Sequence, residues 1–227
     1  MKLSLPFEDR SQAGRLLAEE LDRYKSSDNV LVLGLARGGL PVAFEVAKAL
    51  QAPLDVLVVR KLGVPGQPEL AMGAIAVDGT RVLDEDVIRC LGISSEAVEA
   101  VARREQKELE RREELYRVGR PPLNLHGRTA ILVDDGLATG STMLAAIRFS
   151  KQLSPQRIVL AVPVASRTAL EKLRPEVDEC LCLAAPEFFY AVGLWYQDFP
   201  QTTDAVVMSL LEESLRQHVP AASTGSD

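Results

Sequence analysis

The chain has 227 residues, a formal net charge of −6 at pH 7 and an isoelectric point near 5.2. This length suits one α/β domain with extensions, and the acidic balance argues against general binding to nucleic acid. No apolar run is long enough to span a membrane, and the first residues lack the apolar core of a signal peptide. The three cysteines have no zinc-type spacing, so we expect a cytoplasmic protein with reduced thiols and no membrane partner.

Alternating helices and strands are predicted in the first part of the chain. Leucines recurring on one face predict a helix from Asp9 to Tyr24. Val30–Leu35 reads as a buried strand, and Val42–Leu50 as a helix. Between them lies Ala36-Arg37-Gly38-Gly39, where bare glycine backbone and one cation could bind an anion. The alternative for Arg37 is an ordinary solvated turn.

A second strand is predicted for Leu54–Arg60. Residues 61–73, which include Lys61 and Glu69, are dense in glycine and proline and indicate an exposed, mobile loop. Asp78-Gly79 lies between two short β-type runs and predicts a hairpin. The alternative for residues 61–83 as a whole is an unremarkable surface excursion.

A long helix is predicted from Ser94 to Arg117, with acidic and basic residues spaced for contacts one turn apart, such as Glu99 with Arg103 and Glu108 with Arg112. Its apolar stripe is thin and consists of Val98, Val101, Ala102, Leu109 and Tyr116. We therefore expect most of this helix to be solvated, with packing against residues 61–83 or a partner subunit.

The central motif begins with a buried parallel strand ending at Val133, followed by the adjacent acids Asp134 and Asp135. A turn of small residues then leads into a helix. Free backbone N–H groups and the positive end of the helix dipole meet in such a turn, which can cradle an anion. Gly136 and Gly140 would allow a ligand to approach the backbone closely.

The side chains of this motif suggest a phosphosugar ligand. Thr139, Ser141 and Thr142 offer hydroxyl donors to phosphate oxygens, and the two acids could hold sugar hydroxyls or a hydrated Mg²⁺. The motif lacks the lysine of a P-loop and the glycine spacing of a dinucleotide fingerprint. An ordinary βα turn is the alternative, but it explains neither the paired acids nor the clustered hydroxyls.

The remaining elements extend the same pattern. A strand is predicted at Arg157–Pro163, a short helix at Ser166–Leu173, a strand at Asp178–Leu183 and a closing helix at Asp204–Gln217. Strands that alternate with helices predict a parallel sheet with ligands beyond the strand carboxyl ends, where both glycine-containing loops fall. Residues 220–227 have the composition of a disordered tail.

Aromatic residues concentrate between Ala185 and Phe199. Near a phosphosugar site, such a segment could supply a platform on which a planar base stacks. The alternative is that these rings fill the core of a small subdomain.

Taken together, the strand, acid pair, short loop and Thr139-Gly140-Ser141-Thr142 resemble the signature of type I phosphoribosyltransferases, which bind 5-phosphoribosyl-1-pyrophosphate (PRPP). The resemblance implies an α/β fold with a parallel-sheet, Rossmann-like core in one domain over residues 1–219. It also implies a flexible flap at residues 61–83, a long helical insertion at 94–119 and a small hood at 184–202.

The activity implied by this resemblance is transfer of the phosphoribosyl group from PRPP to a nitrogen of a small planar base, with release of diphosphate and dependence on Mg²⁺. Arg37, Asp134 and Asp135 would be catalytic, and the two acids would also hold the metal. Substrate contacts are implied for Ala36, Gly38, Gly39, Lys61, Gly136, Ala138, Thr139, Gly140, Ser141, Thr142, Tyr190 and Trp195.

Two departures from the family pattern bear on the acceptor. Family members that act on 6-oxopurines carry a third carboxylate where this chain has Ala138, so a 6-oxopurine acceptor is disfavoured. The hood has Gln197-Asp198 where purine enzymes have an acid directly after the glycine. A non-catalytic PRPP-binding regulator is the alternative function, and the oligomeric state, including a homo-oligomer, stays open.

Overall fold

A parallel sheet of five strands forms the centre of the protein, in a computed structural model that describes residues 5–218. The helices are α1 (Arg10–Glu20), α2 (Gly39–Leu50), α3 (Glu85–Cys90), α4 (Ser95–Tyr116), α5 (Ser141–Gln152), α6 (Arg167–Leu173) and α7 (Asp204–His218). The strands are β1 (Val30–Leu35), β2 (Leu54–Leu57), β3 (Val59–Val64), β4 (Gln67–Ala76), β5 (Arg81–Leu83), β6 (Thr129–Val133), β7 (Arg157–Val164) and β8 (Glu179–Ala184).

The central sheet has the strand order β2-β1-β6-β7-β8, and every neighbouring pair is parallel. β1 is buried along its whole length, and β6 and β7 are buried except at their first residues. Strands covered on both faces read as continuous apolar runs, which is why the sequence predicted them. The predicted parallel α/β fold is confirmed.

Residues 59–83 form a separate antiparallel sheet in the order β3-β4-β5. The predicted hairpin at Asp78-Gly79 is confirmed, but the loop predicted over residues 61–73 is wrong. That stretch is a second hairpin, with β3 and β4 joined at Pro65-Gly66. Its glycines were read as loop signals, although Gly73 lies in a strand where a Cβ would meet a neighbouring backbone oxygen.

The predicted second strand over residues 54–60 is divided between the two sheets, because β2 ends at Leu57 and β3 starts at Val59. Helix α1 is shorter than predicted and ends before a 3₁₀ turn over Asp22–Tyr24. Helix α3 had no counterpart among the predicted elements. The predicted tail at residues 220–227 lies outside the described residues.

The long helix α4 lies where it was predicted, with Ser94 as its N-cap. All five residues of the predicted apolar stripe are buried. Its polar side is less solvated than expected, because Glu105 is buried and pairs with Arg60 of β3 at 2.6 Å. Arg112 pairs with Glu108 as predicted, whereas Glu99 pairs with Arg81 of β5. Helix α4 therefore joins the small sheet to the rest of the protein.

The segment after β8 folds back onto the start of the chain. Phe7 donates its backbone N–H to the Trp195 carbonyl at 2.8 Å and accepts one from Gln197 at 2.8 Å. Phe7 and Tyr196 are both buried in a small apolar cluster. The hood is thus built from both ends of the described chain. None of the helices within residues 5–218 is sufficiently long and apolar to cross a membrane.

Candidate active site

The acid pair stands at the carboxyl end of β6, in the middle of the parallel sheet. The backbone N–H of Asp135 donates to Asp134 Oδ1 at 2.9 Å, so the two carboxylates are held at adjacent positions. Burial, and then repulsion from Asp135, raises the pKa of Asp134 well above its ordinary value. The charged form of the pair is therefore disfavoured in the protein alone, and a bound cation or hydroxyl donors would stabilise it.

Arg10 of α1 reaches this acid pair from the other end of the chain. Its Nε lies 2.9 Å from Asp135 Oδ2, and both side chains are almost fully buried. Its Nη1 donates to the carbonyl oxygen of Pro200 at 2.8 Å, and its guanidinium lies 3.7 Å from the ring centroid of Phe199. Tyr196 donates its hydroxyl to the Asp135 carbonyl at 2.5 Å. The hood and the acid pair are therefore tied together.

The loop between β1 and α2 packs directly against the acids. A Cβ added at Gly39 would lie 2.7 Å from Asp134 Cα, and one at Gly38 would overlap the Asp135 carboxylate. Only glycine fits at these two positions. The Ala36–Arg37 peptide bond is cis. The side chain of Arg37 is half-buried, with Nη1 3.5 Å from Asp204 Oδ1 at the start of α7.

The loop from Gly136 to Thr142 connects the acids to α5. A Cβ at Gly136 would lie 2.6 Å from Val192 Cγ1, so the loop passes tightly beneath the hood. Gly140 has φ of 72°, a left-handed conformation that suits glycine. The loop is braced from the next βα junction, where Ser166 donates its hydroxyl to the Ala138 carbonyl at 2.6 Å. The hydroxyls of Thr139 and Ser141 lie 3.3 Å apart.

The two helices that start at these loops have glycine at the N-cap. Helices α1, α3, α4 and α6 are capped by the side chains of Asp9, Asp84, Ser94 and Ser166, respectively. Helices α2 and α5 instead follow Gly38 and Gly140, which have no side chain to accept from the first amides. At α5, the Ser141 N–H makes only a long contact of 3.4 Å with the Thr139 hydroxyl. Because N–H groups without a capping side chain can donate to a ligand, both helix ends are suited to bind an anion.

A cleft of about 520 Å³ joins the acids, the Arg37 loop and the hood. Of the residues predicted for the site, it is lined by Ala36, Arg37, Gly38, Asp134 and Asp135. The hood side contributes Val192, Phe199, Pro200, Gln201 and Thr202. The predicted loop residues Ala138 to Thr142 lie next along the chain, with Ala138 and Thr139 exposed and Thr142 half-buried.

Ten of the fifteen predicted residues are outside this cleft lining, and seven of the ten belong to the two glycine loops beside the acids. The other three, Lys61, Tyr190 and Trp195, belong to the predicted flap and hood. Lys61 is on β3 and lines a separate cleft of about 220 Å³ together with Arg60 and Glu105. The side chain of Tyr190 is 84% exposed. The ring of Trp195 stacks on Phe189 with centroids 6.3 Å apart. The structure thus brings the predicted acids and the Arg37 loop to one cleft, with the loop after the acids next along the chain. The predicted flap and hood residues lie outside this cleft.

Sequence reasoning missed several residues that the fold brings to the acids. Arg10 was read only as part of an amphipathic helix, and Phe199 only as part of an aromatic-rich segment. Asp204 was read as the start of a helix, yet it accepts from Tyr116 at 2.7 Å and pairs with Arg111 at 3.1 Å as well as Arg37. No short-range signal marks these residues, because their partners are distant in sequence.

No group of three or more histidine, cysteine or carboxylate side chains arranged for metal binding occurs within residues 5–218. Asp134 and Asp135 are the adjacent acids at the cleft. Mg²⁺ commonly binds through one or two carboxylates, with waters and substrate oxygens completing its shell. Two adjacent carboxylates fit such an ion better than they fit a metal held entirely by protein.

The fold and this site define an α/β protein with a cleft at the carboxyl edge of a parallel sheet, where ligands of such folds bind. The sequence model of the family "Phosphoribosyl transferase domain" matches residues 8–197, which is most of the chain. The protein therefore belongs to the phosphoribosyl transferase family, as the resemblance of its motifs indicated.

Individual relatives agree with this assignment. The chain is 50% identical over 217 residues to "Putative phosphoribosyl transferase Rv0571c" of Mycobacterium tuberculosis, covering 96% of this chain and 49% of that protein. It thus spans about half the length of this relative. It is 28% identical over 163 residues to a uracil phosphoribosyltransferase of Metallosphaera sedula, covering 64% of this chain and 73% of that protein.

The fold is also found in a solved structure. The crystal structure of TT1426 from Thermus thermophilus matches with a TM-score of 0.74 and 44% sequence identity. The match covers 91% of this chain and 98% of that chain.

Proposed function

We propose that this protein is a Mg²⁺-dependent phosphoribosyltransferase that moves the 5-phosphoribosyl group from PRPP to a nitrogen of a small planar acceptor, with release of diphosphate. One observation carries the proposal. A single cleft at the carboxyl edge of the sheet joins two adjacent acids to a glycine loop with an arginine, beside the glycine-capped start of α5. PRPP needs these three features, because it carries a ribose between two phosphate groups.

The 5′-phosphate would bind to the loop from Ala138 to Thr142. The amides at the start of α5 and the hydroxyls of Thr139 and Ser141 support this assignment. Gly136 and Gly140 keep the backbone bare enough for a phosphate to approach. Anchoring the phosphate fixes the distance between the anomeric carbon and the rest of the cleft.

The ribose would lie against Asp134 and Asp135, which accept hydrogen bonds from its hydroxyls. The diphosphate would bind to the amides of Gly38 and Gly39, with charge supplied by Arg37 and by Lys61 if the flap closes. Charged hydrogen bonds of this kind would stabilise the negative charge that grows on the leaving group. The flap (61–83), helical insertion (94–119) and hood (184–202) remain our proposed divisions of one domain.

Asp134 and Asp135 would also hold Mg²⁺, directly or through water. When bound, the ion supplies charge that neutralises the departing diphosphate. The support is chemical: the two carboxylates are adjacent, and burial and repulsion raise the pKa of Asp134. The protein's own part is to keep these oxygens fixed beside the glycine loop.

In the reaction, the bond between the anomeric carbon and the diphosphate oxygen breaks, and the diphosphate leaves with the electron pair. A bond forms from the acceptor nitrogen to the anomeric carbon on the opposite face, and the nitrogen releases a proton. The protein would hold the ribose, the 5′-phosphate and the diphosphate so that the acceptor nitrogen, the anomeric carbon and the departing oxygen lie in line while positive charge develops on the sugar. A closed flap and hood would exclude water, which competes with the nitrogen as nucleophile.

The acceptor would bind on the hood side, with Tyr190 or Trp195 as the stacking ring. Tyr190 is exposed and free to meet a base, whereas Trp195 already stacks on Phe189. We disfavour a 6-oxopurine because position 138 is an alanine. The name of the Metallosphaera sedula relative supports testing uracil and other pyrimidines first. Exposed Tyr190 and Leu194 are also where a homo-oligomer contact would be sought.

A cytoplasmic location is part of the proposal. Cys90, Cys180 and Cys182 are all unpaired, as expected in a reducing compartment. Burial raises the pKa of the Cys182 thiol to about 11, so this cysteine is suited to packing and not to reactivity.

The test is incubation of the protein with PRPP, Mg²⁺ and a panel of pyrimidines, purines and other planar nitrogen compounds, followed by measurement of diphosphate. We expect release that depends on both the base and Mg²⁺, with none from Asp134→Asn/Asp135→Asn. PRPP binding without turnover on the whole panel would favour the regulatory alternative. Absence of PRPP binding would refute the site.

A further inference from the structure

The guanidinium of Arg10 joins three parts of the cleft that are far apart in sequence. It pairs with Asp135 of the central motif, donates to the carbonyl oxygen of Pro200 and lies over the ring of Phe199. We propose that Arg10 is a positioning residue, which holds the Asp135 carboxylate in the orientation that PRPP requires and links it to the hood. This inference rests on the proposed function and extends it to a residue outside the motif.

The contact is more than a surface ion pair. Side-chain exposure is 10% for Arg10 and 13% for Asp135, so neither charge is well solvated. Removing one partner of a buried pair leaves an uncompensated charge on the other. In the described residues, Arg10 is the cation that pairs with either acid, since Arg37 pairs with Asp204. Without Arg10, the two adjacent carboxylates would repel each other with no compensating charge.

The geometry of the pair indicates orientation as well as charge. Arg10 contacts Oδ2 of Asp135, and Gly38 packs against the same oxygen. Tyr196 fixes the backbone carbonyl of Asp135. The carboxylate is therefore restrained on several sides, and its second oxygen is kept in one orientation. A restrained acceptor loses less conformational entropy on binding a sugar hydroxyl than a mobile one.

Arg10 also couples the position of the hood to the orientation of Asp135. Its planar guanidinium satisfies the Pro200 carbonyl and stacks on Phe199 while it pairs with Asp135, a combination that lysine cannot reproduce. A shift of residues 199–200 would therefore change the orientation of Asp135. The hood and the Asp135 carboxylate are thus coupled through the Arg10 side chain, beside the contact of Tyr196 with the Asp135 carbonyl.

The experiment measures PRPP affinity by calorimetry in the presence of Mg²⁺, together with thermal unfolding of each variant. We expect Arg10→Gln to weaken PRPP binding by at least tenfold and Arg10→Lys to recover part of that loss, since it restores charge without the planar contacts. The matched control is Arg15→Gln on the same helix. The Arg15 side chain is 56% exposed and its nearest acidic partner is Glu45 at 3.8 Å, so this variant should bind PRPP as the wild type does.

A double-variant cycle with Asp135→Asn separates positioning from mere structural support. If Arg10 acts through Asp135, adding Arg10→Gln to Asp135→Asn should cause less than a threefold further loss. Multiplicative losses would overturn the inference, as would wild-type affinity in folded Arg10→Gln. If Arg10→Gln does not fold, the same cycle with Arg10→Lys tests whether Arg10 acts through Asp135. A wild-type protein that binds no PRPP would instead refute the proposed function itself.

Discussion

The two halves of the proposed PRPP site are built in different ways. The loop from Ala138 to Thr142 offers backbone amides at the start of a helix whose N-cap is a glycine. The opposite half offers charged side chains that are already paired within the protein, Asp135 with Arg10 and Arg37 with Asp204. The first half has open donors, whereas binding of PRPP at the second half would replace internal partners with those of the ligand.

This difference predicts which substitutions should weaken PRPP binding most. A site made of amides is fixed by the path of the backbone, so the loss of one side chain removes little. A site made of buried charges depends on each member, because removing one leaves another without a partner. Binding of PRPP should therefore be far more sensitive to changes around Asp134 and Asp135 than to changes in the phosphate loop.

The largest effect is expected from Asp134→Asn with Asp135→Asn. PRPP affinity should fall by at least about 100-fold, because ribose hydroxyls and metal lose their anionic partners. Relief of repulsion between the acids and loss of the Arg10 pair oppose each other, so Tm should stay within about 5 °C. Inorganic phosphate, which needs only the amide loop, should bind this variant as it binds the wild type. Unchanged PRPP affinity would show that the acids are not part of the site.

Gly38→Ala is expected to weaken PRPP binding by about 30-fold. The new methyl group would displace the Asp135 carboxylate, whose charged contact with PRPP would be worth about 2 kcal/mol. Gly38 has φ of −61°, which any residue adopts, so the cause is only the overlap of the new Cβ with Asp135. Gly127→Ala is the control. Its φ is 67° and nothing lies near its Cβ, so it should lose stability through strain while keeping its PRPP affinity. Similar affinity losses in both variants would contradict the steric explanation.

Arg37→Ala should lower the rate of diphosphate release by about tenfold, the equivalent of one charged hydrogen bond to the leaving group. Inorganic phosphate binding should not change, since the amide loop is untouched. Arg89→Ala serves as the control, because Arg89 is exposed on α3 and pairs with nearby Asp86. A rate equal to that of the wild type would assign Arg37 a structural role at Asp204.

The smallest effect is expected from Thr139→Val with Ser141→Ala. These changes remove two hydroxyls but leave the amides, so PRPP affinity should fall by only about threefold to tenfold. Calorimetry of this variant beside the acid variant tests the comparison directly. A loss as large as that from the acids would mean that side chains, and not backbone, build the phosphate loop.

Much of the fold could be predicted because its signals are local. Buried strands of the parallel sheet are apolar runs, and the helices at Ser94 and Ser166 begin at serine caps. The hairpin at Asp78-Gly79 has the turn residues that its geometry needs. The hairpin at Pro65-Gly66 was missed because glycine and proline in strands resemble loop signals, although Leu62, Val64 and Met72 are buried as strand residues.

The site was predictable only in part, because only some of its residues are marked by local signals in the sequence. Asp134, Asp135 and the two glycine loops follow strands directly, so the sheet brings them to one edge. Arg10 is 125 positions from Asp135 and 190 positions from Pro200, and nothing in its local sequence distinguishes it from other charged residues of α1. Its role depends on how the chain ends meet, which only the tertiary structure reveals.

Phe7 and Arg10 contact residues 195–200, and these contacts constrain the order of folding during synthesis on the ribosome. The five strands of the parallel sheet leave the ribosome before residues 195–200 do, and a domain generally folds as a unit. The contacts of Arg10 with Phe199 and Pro200 cannot form until about residue 200 has left the exit tunnel. The cleft is therefore completed only near the end of synthesis, as is the core, because α7 with its buried Val207 and Leu211 follows residue 200.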